Sequence, residues 1–121
     1  MSISISDLRP ASYALVSSRR VSFFEWEYTF SFTLENQGTG DAENVLAHLD
    51  GYPANVTAVT YSGGGSDLDF GTVAAGSSQT SSNTFTVRVN RRVRTPDRDL
   101  SWEINYDDPS GGGTVDLTLP Y

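Results

Sequence analysis

From Phe24 to Leu34 the chain alternates without a break. Phe24, Trp26, Tyr28, Phe30, Phe32 and Leu34 share one parity; Glu25, Glu27, Thr29, Ser31 and Thr33 share the other. A period of two belongs to a β-strand with one apolar and one wet face, so Ser22–Glu35 is read as a long strand. The same alternation returns in Asn44–Leu49 through Val45, Ala47 and Leu49, and in Thr80–Asn90 through Phe85, Val87 and Val89. It returns again in Leu100–Tyr106 through Leu100, Trp102, Ile104 and Tyr106, and in Thr114–Leu119 through Val115, Leu117 and Leu119. Val56–Tyr61 adds a strand, and a short piece, Leu68–Phe70, follows the triple glycine Gly63-Gly64-Gly65. Ile3, Ile5 and Tyr13–Val16, separated by Pro10, read as one broken edge strand, where proline is tolerated.

Turn-forming clusters separate these runs at Asn36–Asp41, Asp50–Asn55, Ser62–Ser66, Ala74–Ser78, Thr95–Asp99 and Asp107–Gly113, and no segment carries a capped helical period. About seven short amphipathic strands with both tryptophans in the core predict an all-β, immunoglobulin-like antiparallel sandwich. On this reading the Phe24–Leu34 stripe is core. A site, if there is one, belongs at the loop ends or on the outer face that Glu25 and Glu27 mark.

Length narrows the picture to one domain, residues 1–121, long enough to bury a core without staples. The chain has no cysteine, which removes disulfides and thiolate metal sites. Every basic residue is an arginine, so a Lys–Asn isopeptide crosslink is chemically impossible. The net charge of −7 opposes polyphosphate binding, and no nucleic-acid partner is expected. No run approaches the roughly 20 apolar residues that span a bilayer, so no membrane insertion is expected. The start, Met1-Ser-Ile-Ser-Ile-Ser-Asp, has neither a basic nor a continuous apolar region. It is read as a domain excised from a longer secreted chain, with an extracellular or cell-surface location and a monomeric state in isolation.

The strand ending Leu34-Glu-Asn36-Gln-Gly38-Thr-Gly40-Asp-Ala42-Glu-Asn-Val45 resembles the N-x-G-x-G-x-A-x-x-V signature of CARDB-like domains. These are cell-adhesion-related Ig-like modules of bacteria and archaea, related to NEW3-type and S-layer-associated sandwiches. Asp69-Phe70-Gly71-Thr-Val73-Ala-Ala-Gly76 and Ile104-Asn-Tyr106-Asp107-Asp-Pro-Ser-Gly111 are similar to two further steps of the same pattern, in the same order. The resemblance covers roughly residues 22 to 119 and implies a non-catalytic module that spaces or supports neighbouring domains, with no family-wide active site. Asn36, Gly38 and Gly40 are expected to supply left-handed turn conformations. Ala42 is expected to fit beneath a crossover loop.

His48, the one histidine, has outward parity and no Gly-x-Ser-x-Gly elbow to serve, so no enzyme is expected. Glu25 and Glu27 form a carboxylate pair on the outer face, the pattern of a solvated strand rather than of a glycosidase. Asp107 and Asp108 beside the Gly-rich turn are candidate calcium ligands, ahead of Asp67 and Asp69; no other cofactor is implied. Tyr52 and Tyr61 have no evident core position and are candidates for stacking on carbohydrate, the alternative function; Phe23 and Tyr121 share that ambiguity. Arg91-Arg92-Val93-Arg94, with Arg88 and Arg98, is a basic patch suited to an anionic surface or to edge protection. Asn55-Val-Thr57 is a formal glycosylation sequon. The partners expected are neighbouring domains, cell-surface polysaccharide or protein.

Overall fold

The computed structural model describes residues 5–92 and 98–121. Ile3, Arg94 and most of the Thr95–Asp99 turn lie outside the described residues. The elements are β1 (Leu8–Arg20), β2 (Glu25–Asn36), β3 (Ala42–Gly51), β4 (Val56–Tyr61), β5 (Leu68–Val73), β6 (Ser78–Thr80), β7 (Phe85–Asn90), β8 (Asp99–Asp107) and β9 (Gly113–Pro120). They form two antiparallel sheets. One is ordered β1-β2-β7-β4, with β6 also on β2; the other is ordered β5-β3-β8-β9. The inner faces meet as an immunoglobulin-like sandwich.

Among the described residues nine strands stand where about seven were expected, because Thr80–Asn90 divides into β6 and β7 and the short Leu68–Phe70 piece is a full strand, β5. Three local features shape the sheets. First, β1 runs unbroken through Pro10, with register shifts between Pro10 and Ser12 and between Leu15 and Ser17. Bulges on an edge strand absorb a residue with no N–H. Second, the expected Thr80–Asn90 strand is broken by a turn at Ser81–Thr84. The Ser81 hydroxyl donates to Asn83 O and accepts from Phe32 N, holding β6 and β7 on β2 as separate pieces. Third, β4 pairs β7 in the first sheet and β5 pairs β3 in the second, with a single 3-10 turn, Ser62–Gly64, between them. One descending path thus changes sheets at the triple glycine, where Gly63 takes φ +81°, a conformation costly for other residues.

The core lies between Phe30, Phe32, Leu34, Phe85 and Val87 on one sheet and Val45, Ala47, Leu68, Trp102 and Ile104 on the other. Trp102 is its centre. Its ring meets Phe32 at 5.1 Å and Phe85 at 4.9 Å, and Nε1 donates to Tyr13 Oη at 2.8 Å. Tyr13 in turn donates to Leu119 O at 2.7 Å. This chain ties β1 to β8 and β9 across the two sheets. Burial holds the Tyr13 phenol well above its ordinary pKa, against the lowering effect of the Trp102 hydrogen bond.

The expectation for the stripe is half corrected. Phe30, Phe32 and Leu34 are buried, but Tyr28 and Trp26 are only partly covered and Phe24 is 41% exposed. The opposing sheet ends first: β9 stops at Pro120, and Tyr121 just beyond it meets the Phe30 ring at 6.3 Å. Tyr28 still packs on the core from this edge, while Trp26 and Phe24 overhang it. Trp26 is therefore not a core tryptophan.

Candidate functional site: two chemically opposite ends

β1 rises and β2 descends, and their hairpin makes the upper end of the molecule together with the last residues of β7. Phe23 and Phe24 lie in the hairpin with their rings edge-to-face at 4.7 Å, and Phe23 is 75% exposed. Arginines cover the ring faces. Arg20 lies over Phe23 at 5.1 Å, Arg92 over Phe24 at 4.5 Å, Arg91 over Trp26 at 5.3 Å and Arg98 over Tyr121 at 4.9 Å. The register explains the meeting: Arg20 pairs with Trp26 across β1–β2, and Asn90 pairs with Glu25 across β2–β7, so Arg91 and Arg92 emerge beside the hairpin. Each contact is a cation–π pair worth about 0.5–1 kcal/mol at an exposed site. None of these four guanidiniums takes part in the ion pairs formed among the described residues, which use Arg9, Arg19, Arg88 and His48.

The lower end is built around Asn36, which is fully buried. Its Oδ1 accepts from Asp7 N at 3.0 Å and Gly38 N at 2.9 Å; its Nδ2 donates to Gly40 O at 2.8 Å and Val73 O at 3.0 Å. All four of its amide hydrogen-bonding positions are filled. The left-handed role expected of Asn36, Gly38 and Gly40 is not what the structure uses, because none of them has positive φ. Gly38 is required instead by contact: an added Cβ would overlap the Ile5 carbonyl oxygen. Among the described residues Asn44 is the non-glycine residue with positive φ, 52°, at the bulge in β3. Ala42 is fully buried.

Around this hub the surface is acidic. A shallow cleft of about 210 Å³ is lined by Asp41, Glu43, Asp108 and Pro109. Asp107 and Asp108, the calcium candidates, are each engaged by donors of the protein. Asp108 Oδ1 accepts from Ser110 N, Ser110 Oγ and Gly112 N, and Oδ2 accepts from Ser6 N and Ser6 Oγ. Those bonds, from Ser110 foremost, hold its carboxyl far below the usual range. Asp107 Oδ2 accepts from Asn44 Nδ2 at 3.1 Å. Asp69 Oδ1 is engaged by Gly71 N. Among the described residues, no three His, Cys, Asp or Glu side chains converge as a metal site.

Tyr52 is 49% exposed, whereas Tyr61 packs on the core and its hydroxyl accepts from Leu49 N at 3.1 Å. Burial raises the Tyr61 pKa. The two rings do not stack on each other as a platform. On the outer face of the first sheet Glu27 binds Arg19 at 2.7 Å and Arg88 at 3.5 Å, and the Arg19 hydrogen bond lowers its pKa. Glu25 accepts from Ser22 Oγ and Thr57 Oγ1 instead, so the two glutamates have separate partners.

His48 is exposed on the outer face of β3. Its Nδ1 faces Ser66 O at 2.9 Å and Asp67 Oδ1 at 3.1 Å. Both are acceptors, so Nδ1 carries a proton, and the Ser66 carbonyl leads the groups that raise its pKa above 6.5. A raised folded value means that the stability His48 contributes is present below 6.5 and fades as pH rises through the folded pKa. An NMR titration should show His48 titrating above the ordinary imidazole value, and Asp67→Asn should move it back down. Exposure keeps the accompanying change in stability small.

The fold and these ends define an antiparallel β-sandwich with an aromatic, cationic pole and an acidic pole. No family model matches the chain, and no curated protein matches it in sequence. Sequence reasoning missed the cationic pole as a unit. Its signal was the Phe23-Phe24 doublet, which breaks the alternation, between the doublets Arg19-Arg20 and Arg91-Arg92 at adjoining strand ends.

Proposed function

We propose that this domain is a non-catalytic, CARDB-like accessory module of a secreted or cell-surface protein, which spaces neighbouring domains and carries load between them. The observation behind this reading is the path of the chain. β1 begins beside Asn36 at the lower end, and β9 ends beside Tyr121 at the upper end, hydrogen-bonded to the start of β8. A chain passing through the module enters at one pole and leaves at the other. The 12 residues of β2 span about 40 Å at roughly 3.3 Å each, the height of the spacer. Tension along that path loads the β1–β2 hydrogen bonds together in shear, and the Trp102–Tyr13–Leu119 chain ties the second sheet to the same strand.

The chain has no cysteine, so attachment points for pulling are set by design. Handles at Leu8 and Tyr121 should give a clearly higher unfolding force than handles at Leu8 and Gln37. Leu8 pairs with Asn36 beside Gln37, so the second geometry opens β1 from β2 one rung at a time. Equal forces in the two geometries would remove the load-bearing reading.

Carbohydrate binding is the alternative. It draws on Trp26 and Tyr28, whose rings lie within 13° of parallel at 6.5 Å. Arg91 stands over the Trp26 ring and occupies a face that a sugar would need, which favours the spacer.

A further inference from the structure

We propose that the two poles are complementary halves of one contact, through which copies of this domain associate head to tail. The occupant of the aromatic and arginine pole is the acidic pole of a second copy.

Three features of the surface carry this. First, apolar exposure is concentrated. Leu15, Val16, Val21, Phe23 and Phe24 on the β1–β2 ribbon account for five of the eight large hydrophobics left exposed among the described residues. Aromatic rings with arginines are the composition of interface centres, where they lose little entropy and gain much area. Second, arginines are segregated along the long axis, although carboxylates such as Glu25, Asp50 and Asp99 also stand at the upper end. Of the described arginines only Arg9 lies at the lower pole, where it pairs with Asp7 at 3.3 Å. Asp41, Glu43, Asp107 and Asp108 stand around the lower cleft without an arginine partner among the described residues. Third, Glu43 and Asp107 sit directly opposite each other across the β3–β8 ladder. Like charges in register repel within a sheet, and the fold places only the Asn44 amide against Asp107. An incoming pair of guanidiniums relieves that repulsion.

The contact joins two different patches, so it is heterologous and propagates into chains rather than closing as a dimer. Exposed and charge-driven, it is weak between free molecules and strengthens when two copies are held at the high local concentration of a tandem array. In dilute solution the domain remains monomeric. The proposal stands on the charge map and not on the spacer reading, and pulling experiments on single domains do not bear on it.

Sedimentation velocity across a concentration series up to about 1 mM tests it. Wild type at about 0.01 M salt should show species that grow past the dimer, and these should disperse at about 1 M salt, where the Debye length falls to about 3 Å. Arg91→Glu with Arg92→Glu should be monomeric, as should Glu43→Lys with Asp107→Lys. Mixed in equal amounts, the two variants should associate again, because the intact acidic pole of one meets the intact cationic pole of the other and the two reversed poles are complementary as well. A native circular dichroism spectrum and a cooperative unfolding transition establish that each variant is folded; Glu43→Lys alone serves if the double change is not. A wild type that stays monomeric throughout the series overturns the proposal. So do dimers indifferent to Glu43→Lys, which would mean that like poles meet. Co-sedimentation with phosphatidylserine vesicles in place of self-association would also overturn it, assigning the cationic pole to a lipid surface.

Discussion

Asn36→Leu should destabilise the domain by about 4 kcal/mol in chemical denaturation, because it strands four backbone groups while adding apolar volume. The Asp7 and Gly38 N–H groups lose their acceptor, and the Gly40 and Val73 carbonyls lose their donor. These four groups come from the approach to β1, the β2–β3 turn and the end of β5, so no single neighbour can replace the amide. A buried group left unpaired costs about 1–3 kcal/mol, and two of the four lie at bonds shielded from water. Asn36→Asp separates shape from donor capacity. Its carboxylate would face the Gly40 and Val73 oxygens in a fully buried site, which raises its folded pKa above the ordinary value of about 3.9. The folded state then takes up the proton before the unfolded state does. The variant, compared with wild type at the same pH, should be weakest at neutral pH and recover part of the loss as pH falls through the raised pKa. A loss under about 1 kcal/mol for Asn36→Leu would show that the amide is not the hub of the lower pole.

Trp102→Ala should cost about 4 kcal/mol, the range for emptying an aromatic site in a packed core. The ring is 1% exposed and lies against Tyr13, Phe32 and Phe85, which come from three different strands of the facing sheet, so no single element can shift to close the space. Tyr13→Phe isolates the polar part of the same assembly. It leaves Trp102 Nε1 without an acceptor and Leu119 O without its phenolic donor, for about 1–3 kcal/mol. By contrast Trp26→Ala should cost well under half as much as Trp102→Ala, since Trp26 overhangs the core and is only partly covered. Similar losses at the two tryptophans, read from urea midpoints at constant m, would show that the overhang is packed more tightly than its exposure indicates.

The two tryptophans show how far periodicity reaches. Both sit on inward parity in strands of the same kind, and nothing local distinguishes them. Parity assigns a face, but burial needs a partner at the same height, and the height at which the second sheet stops is set by Pro120 and Tyr121, far away in the chain. Asn36 was legible as a turn residue, whereas its buried amide bonds reach Asp7 and Val73, separated from it by 29 and 37 positions. Asp108 was legible as a carboxylate in a Gly-rich turn, whereas its bonds to the N–H and hydroxyl of Ser6, separated from it by 102 positions, were not.

By itself the sequence determined the strands, their inward faces, the sandwich class and an acidic, cysteine-free composition, because those follow from a period of two and from a count of side chains. Tertiary structure alone decided that the Ser22–Glu35 stripe is core at one end and surface at the other, that β4 and β5 divide one path between two sheets, and that arginines distant in the chain meet on aromatic rings at one pole. Those are matters of register and sheet length, set by long-range pairing, and no local window of residues contains them.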